Sequence, residues 1–188
     1  MEELKSWFDD LTEEYCKWCG MQVRWKKCRQ KSIHTCEFPF SYREGQKQLA
    51  AVVYRTLANR KKLFIQAPTG VGKTISTVFP AVRAVGENLG EKIFYLTAKT
   101  VTRTVAEEAF SVLKGKGLRY KVLTLTAKEK ICPLEEAKCN PIECPYAKGH
   151  YDRVNRAVFE MLNETEVFDR EAIWKPSEKW KVCPYEMT

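Results

Sequence analysis

Residues 67–74 combine the residue types that are needed to hold a phosphate group. Their sequence is Ala-Pro-Thr-Gly-Val-Gly-Lys-Thr. Gly70 and Gly72 allow the backbone to wrap closely around an anion, and Lys73 adds a positive charge. The Thr74 hydroxyl is suited to coordinating Mg²⁺. Except for Ala67 in the place of the first glycine, the segment matches the Walker A element, so we expect it to bind a nucleoside triphosphate.

The elements around this loop predict an α/β fold. Short apolar runs at 63–67, 93–97 and 120–125 suit buried strands, and helical patterns at 45–58, 75–86 and 101–112 alternate with them. This βαβαβ order predicts a parallel sheet covered by helices. Each predicted strand ends in a polar motif, at the sheet edge where ligands bind in such folds. Residues 1–31 are predicted to form one amphipathic helix or a pair, followed by an extended linker at 32–41.

Four cysteines follow the predicted sheet and could bind a metal. Cys132, Cys139, Cys144 and Cys183 are separated by 6, 4 and 38 residues, and three of them directly precede proline. Four thiolates suit either a [4Fe–4S] cluster or structural zinc, and the spacing alone leaves the metal open. Ordinary free cysteines are the remaining alternative. The only clear helix predicted in this region is at about 151–163.

A second set of four cysteines lies near the N-terminus, at Cys16, Cys19, Cys28 and Cys36. It could be a second metal site. The helical periodicity runs through Cys16 and Cys19, however, and the longer spacings fit no compact metal knuckle. We therefore expect small apolar residues on a helix face.

The composition favours a polyanionic partner. The chain of 188 residues has a net charge of +8 and a pI of about 9.0, and residues 17–31 contain six basic residues and no acidic one. No apolar run is long enough to span a bilayer and the N-terminus is not a secretory signal, so we expect a cytoplasmic protein without membrane partners. In that compartment metal binding explains eight cysteines better than disulfides do.

Several segments together resemble the iron–sulfur superfamily 2 DNA helicases of the DinG and XPD group, most closely the bacterial DinG-like members. The resemblance covers about residue 38 to the end. It rests on Phe38-Pro39-Phe40, Tyr42-Arg43-x-Gly-Gln46, the Walker A loop, residues 95–103 (Tyr-Leu-Thr-Ala-Lys-Thr-x-Thr-Arg), residues 125–132 and residues 139–153.

The resemblance implies a role for each matching residue. ATP and Mg²⁺ would be bound by Arg43, Gln46, Thr69, Gly70, Val71, Gly72, Lys73 and Thr74, with Lys73 and Thr74 also catalytic. DNA would be contacted by Thr97, Lys99, Thr100, Arg103, Thr126 and Lys128. The [4Fe–4S] cluster would be held by Cys132, Cys139, Cys144 and Cys183. The implied activity is ATP-driven translocation on single-stranded or forked DNA, typically 5′ to 3′, with duplex unwinding.

The resemblance also divides the chain. Residues 1–37 would be a helical connector, 38–127 the first half of a RecA-like domain, and 128–188 an iron–sulfur insertion. The acidic Mg²⁺-binding motif and the second RecA-like domain of such helicases do not follow, so we expect a fragment with almost no ATP hydrolysis. The alternative is a zinc-containing, nucleic-acid-binding P-loop module without motor activity. A small-molecule kinase is disfavoured, because it has no need for the segments at Gln46 and 95–103.

Overall fold

The computed structural model describes residues 2–68, 70–98 and 100–188, which form two compact units. The N-terminal unit runs to Arg119 and the C-terminal unit covers Tyr120–Thr188. The helices are α1 (Glu2–Thr35), α2 (Gln46–Ala58), α3 (Lys73–Gly86), α4 (Thr100–Gly115), α5 (Lys128–Ile131), α6 (His150–Glu164) and α7 (Arg170–Trp180), and the strands are β1 (Val122–Leu123) and β2 (Val167–Phe168).

Helix α1 is continuous over 34 residues, which settles the choice between one helix and a pair. It extends to Thr35 and so includes the start of the predicted linker. The Arg83 guanidinium on α3 donates to the carbonyls of Ile33 (2.8 Å) and His34 (3.1 Å). Because the last carbonyls of a helix have no partner within it, these bonds stabilise the end of α1 and join it to α3.

Helices α2, α3 and α4 position the phosphate-binding loop, and each was predicted from its apolar periodicity. Helix α3 packs against α1, α2 and α4. Its buried face repeats at helical spacing and consists of Ile75, Val78, Val82 and Val85, while α4 contributes Ala106, Ala109, Phe110 and Leu113. Burial of this apolar face holds α3 in position, and with it the residues at the start of α3 that follow the loop.

The predicted parallel sheet is wrong for two of its three strands within the described residues. Segments 63–67 and 93–97 form no strand, and most of their side chains are exposed, with Phe64 94% and Leu96 88% exposed. A strand needs a neighbour to pair its backbone N–H and C=O groups, and neither segment is paired with one here. Apolar residues that favour β structure were therefore not sufficient on their own to form a strand.

The third predicted strand is present in shortened form in the C-terminal unit. Val122 and Leu123 of β1 pair in parallel with Val167 and Phe168 of β2. Helix α7 was not predicted, and Pro176 lies inside it. Its start is capped by the Asp169 carboxylate, which accepts from the Ala172 N–H at 2.8 Å. The hydrophobic core of this unit consists of Ile131, Ala157, Met161, Phe168, Ile173, Val182 and Met187.

No helix in the described parts of the chain combines the length and apolar character needed to cross a bilayer.

Candidate nucleotide site and cysteine cavity

Two glycines of the loop before α3 have a left-handed backbone conformation. Gly70 has φ of 85° and Gly72 has φ of 73°, both in the left-handed region that side chains with a Cβ rarely adopt. Gly72 is the N-cap residue, and α3 begins at Lys73. The free N–H groups of the first turn of α3 therefore follow the loop directly, which is the arrangement that favours phosphate.

The side chain of Gln46 lies against this loop. It is only 4% exposed, and its Oε1 accepts from the Arg43 N–H at 3.0 Å. A Cβ placed on Gly72 would come within 2.5 Å of Gln46 Nε2. The structure thus brings together two parts of the predicted nucleotide site that are 26 positions apart in sequence.

Two cationic side chains, those of Arg43 and Lys73, complete the candidate nucleotide site. The Arg43 guanidinium donates to the Gly70 carbonyl at 2.5 Å, and the Lys73 ammonium donates to the carbonyls of Ala67 (2.9 Å) and Pro68 (2.8 Å). Neutral carbonyls are weaker acceptors than phosphate oxygens for a charged donor. Both groups can therefore transfer to a bound polyphosphate over a short distance.

The residues predicted to contact DNA are divided between the two units. Thr97 is exposed in the N-terminal unit, and the Arg103 guanidinium is paired with the Glu107 carboxylate at 3.5 Å. Thr126 and Lys128 belong to the C-terminal unit. Lys99, like Thr69 of the phosphate loop, lies outside the described residues, and the side chain of Thr100 is not described.

The four predicted cluster cysteines line a single cavity in the C-terminal unit. Cys132, Cys139, Cys144 and Cys183 border a space of about 390 Å³ together with Lys128. Cys144 is buried, Cys139 is exposed and the other two are half-buried. Across the described residues, no group of three or more His, Cys, Asp or Glu side chains is placed to hold a single metal ion.

Lys128 also borders this cavity and is half-buried. Its ammonium lies 4.8 Å from the centre of the Tyr185 ring, in cation–π geometry. The nearby Cys139 raises the pKa of Lys128, because a thiolate would favour the charged ammonium. The role of Lys128 in binding DNA stays a prediction.

Two side chains of α6 hold the distant cysteine segments together. The His150 Nδ1 accepts from the Cys183 N–H at 3.1 Å, and burial lowers the pKa of His150, which favours this neutral acceptor form. The Arg153 guanidinium donates to three carbonyls, those of Lys148 (2.6 Å), Trp180 (2.8 Å) and Lys181 (2.8 Å). Neither contact was predicted from the sequence, because the partners of His150 and Arg153 are backbone groups.

The N-terminal cysteines are spread along α1 and just beyond it. With a rise of about 1.5 Å per residue, Cys16 and Cys28 lie about 18 Å apart on a straight helix, so these two cannot share a metal ion. Cys16 is exposed and Cys36 is buried, as small residues along a partly covered helix can be. This geometry agrees with the predicted structural role.

Comparison with known proteins identifies the family. The DEAD/DEAH box helicase model matches residues 43–145, which is more than half of the chain and includes Gln46 and the phosphate loop. The chain belongs to the DEAD/DEAH box helicases. Residues of the chain are also 30% identical, over 122 positions, to a probable ATP-dependent helicase of Methanocaldococcus jannaschii. No solved structure matches.

Membership in the DEAD/DEAH box helicases supports a P-loop NTPase fold and the use of ATP and Mg²⁺. The archaeal match covers 64% of this chain and 18% of the relative. The chain therefore spans about a fifth of the length of that relative. In the described residues this portion is mostly helical, with one small parallel sheet.

Proposed function

We propose that this chain is the nucleotide-binding part of an ATP-dependent DNA helicase whose C-terminal unit holds a [4Fe–4S] cluster. The observation that carries the proposal is the convergence of Cys132, Cys139, Cys144 and Cys183 on one cavity, although Cys183 is 39 positions away from Cys144. Four cysteines are the usual ligand set of such a cluster.

The size of the cavity supports the proposal of a cluster. All four ligands of a single zinc ion must lie within bonding distance of one point. In a [4Fe–4S] cluster each cysteine binds a different iron atom, so the sulfur atoms stand further apart around a larger object. The cavity of about 390 Å³ offers room between the thiols. When bound, the cluster would cross-link the segments that carry these cysteines.

At the nucleotide site, Lys73 would move from the Ala67 and Pro68 carbonyls to the phosphates of ATP, while Thr74 would coordinate Mg²⁺. Gln46 and Arg43 would then border the base and the loop. Single-stranded or forked DNA would be contacted through Thr97, Lys99, Thr100, Arg103, Thr126 and Lys128. Unwinding with 5′ to 3′ polarity belongs to the same proposal.

Metal analysis tests the cluster. We expect iron and acid-labile sulfide in equal amounts after anaerobic purification, and loss of both in Cys144→Ser. Cys16→Ser is the matched control, since Cys16 is exposed on α1, and it should keep the full content. Zinc in the wild-type chain would favour a structural zinc module without motor activity, and a metal-free chain would exclude both sites.

Nucleotide binding tests the loop independently of the cluster. Titration with a fluorescent ATP analogue and Mg²⁺ should show affinity that falls about tenfold or more in Lys73→Ala, which corresponds to about 1.4 kcal/mol or more. Lys116→Ala, at an exposed lysine after α4, should bind like the wild-type chain. Equal affinity in both variants would contradict the assignment of Lys73.

Binding of a labelled single-stranded oligonucleotide tests the DNA contacts. The affinity should fall as salt is raised, because phosphate contacts release counterions. Arg103→Ala should weaken binding and reduce this salt dependence. Binding that is unaffected by either change would remove DNA as the partner of this segment.

A further inference from the structure

One face of the C-terminal half of α1 carries a row of exposed cations. Arg24, Lys27 and Lys31 are spaced by three and four residues, so their side chains share one face of the helix. The buried residues Met21 and Ile33 lie outside this face. The three cations are therefore in contact with solvent while the helix is packed against α3.

No negative charge lies close to this row along the helix. Residues 15–36 contain no acidic residue, and Glu14 lies ten positions before Arg24, which is about 15 Å along a helix. This separation exceeds the distance of about 8–10 Å over which salt screens surface charges at physiological ionic strength. Among the described residues, Arg24, Lys27 and Lys31 form no ion pair. The row therefore presents three positive charges that no described carboxylate neutralises.

A second element adds positive charge beside the same part of α1. The segment after α4 is joined to α1 by a hydrogen bond from the Arg119 N–H to Ser32 Oγ at 2.9 Å. The Arg119 guanidinium lies 5.9 Å from the centre of the Trp25 ring, in cation–π geometry. Both elements belong to the N-terminal unit, so one compact unit holds all four cations. Together they form a basic surface, which consists of Arg24, Lys27, Lys31 and Arg119.

The surroundings of the basic surface favour a nucleic acid over a membrane. A helix that lies on a membrane inserts apolar side chains next to its cations. Most of the exposed large apolar side chains of α1 lie between Leu4 and Tyr15, and there residues 2–14 carry six acidic residues and one lysine, a net charge of −5. An anionic membrane would repel that part of the helix. A nucleic acid needs only the cations, because its phosphate groups are on the outside.

We propose that the basic surface binds the phosphate backbone of double-stranded nucleic acid, as a contact separate from the segments at 97–103 and 126–128. The proposal rests on the proposed function for the kind of polyanion that is bound. Arg24 and Lys31 are about 10 Å apart along α1. A duplex carries one phosphate charge per about 1.7 Å, or about six over that length. Each cation of the row can therefore contact a phosphate group.

A duplex suits the basic surface better than a single strand does. Proteins that bind single strands combine cations with exposed aromatic rings on which the bases stack. The aromatic ring next to Arg24 in sequence, that of Trp25, is half-buried and in contact with Arg119. Lysine and arginine side chains on one exposed helix face can contact phosphates without reading the bases. The contact should therefore be independent of base sequence.

Binding of a labelled oligonucleotide duplex at several salt concentrations tests the proposal. The test variant of the full chain carries Arg24→Gln, Lys27→Gln and Lys31→Gln. A control variant of equal net charge loses three exposed lysines outside the basic surface, through Lys61→Gln, Lys62→Gln and Lys175→Gln. We expect the test variant to bind the duplex about tenfold more weakly or worse. Its slope of log K against log salt should be smaller by about 2–3, because each phosphate contact contributes about 0.9. The control should keep the wild-type slope.

A single substitution at the exposed Lys27 gives a second test that disturbs the helix less. Lys27→Glu should weaken duplex binding severalfold and reduce the salt dependence, while circular dichroism retains the helical signal. A matched single strand should lose less affinity than the duplex in both variants.

Several outcomes would overturn the proposal. Duplex binding of the test variant that equals the wild type would remove this contact and leave the proposed function standing. An equal loss in the control variant would show that only the net charge matters. A loss confined to the single strand would contradict the duplex as the partner, and binding to phosphatidylserine vesicles in place of the duplex would assign the surface to a membrane. A wild-type chain that binds neither duplex nor single strand at low salt would remove this contact together with the DNA contacts of the proposed function.

Discussion

Replacing Gly72 with alanine should lower the free energy of unfolding of the N-terminal unit more than the same change at Gly70. Both positions have positive φ, which costs a residue with a Cβ about 1–2 kcal/mol. At Gly70 the new Cβ meets nothing within 4 Å, whereas at Gly72 it comes within 2.5 Å of Gln46 Nε2. Gln46 must then move and lose the hydrogen bond from the Arg43 N–H, for a further cost of about 0.5–1.5 kcal/mol.

The expected order of destabilisation is therefore Gly72→Ala, at about 1.5–3.5 kcal/mol, then Gly70→Ala, at about 1–2 kcal/mol. Gly115→Ala is the control, because φ is not positive there and no atom lies within 4 Å of the added Cβ. It should be neutral or slightly stabilising. Urea unfolding followed by circular dichroism measures all three, and the affinity for an ATP analogue should fall most in Gly72→Ala.

A double-mutant cycle separates the contact from the backbone strain. In a Gln46→Ala background the cost of Gly72→Ala should fall to about 1–2 kcal/mol, because only the positive φ remains to be overcome. Equal costs in both backgrounds would refute the contact between Gln46 and the loop. Equal costs at Gly72, Gly70 and Gly115 would refute the loop conformation itself.

Three further predictions concern the C-terminal unit. Ile173→Ala, at a fully buried core position, should cost about 2–5 kcal/mol in urea unfolding, while Ile142→Ala, at a side chain that is 94% exposed, should cost almost nothing. Arg153→Ala should cost about 2–3 kcal/mol, because three carbonyls lose a charged donor, and Arg153→Lys should recover only part of this; an unchanged midpoint would contradict the bridging role. Hydrogen bonds from Lys179 and Trp180 lower the pKa of Glu160 below its ordinary 4.5, so stability should fall as pH falls below 4.5 through the folded pKa, and Glu160→Gln should flatten this acid limb of a melting-temperature profile.

The sequence predicted α2, α3 and α4 because each of them carries an apolar face at helical spacing. The patterns at 45–58 and 75–86 correspond to α2 and α3, whose buried residues repeat at helical spacing. A helix pairs its own backbone, so the local pattern contains most of the information. Segments 63–67 and 93–97 depend on neighbours for their hydrogen bonds, and the local pattern could not show whether those neighbours are present.

The sites were predictable to the extent that residue type alone determines chemistry. Gly70, Gly72 and Lys73 were identified from the motif, and the structure adds the contacts of Gln46 and Arg43 with the loop. The spacing of the four cysteines did not show that Cys183 returns to the other three. That return depends on Arg153 and His150, whose partners are backbone groups and therefore leave no signature in the sequence.

The parallel pairing of β1 with β2 has a consequence for how the cysteine segment can vary in length. Cys132, Cys139 and Cys144 lie within the connection between these strands, and the hydrophobic core of the fully described C-terminal unit takes no residue from 132–143. Doubling the length of a flexible loop costs only about 0.6 kcal/mol in closure entropy. Insertions between these cysteines would thus lower the free energy of unfolding only slightly. The spacing of the thiols can then be selected for what the cavity holds, independently of the stability of the unit around it.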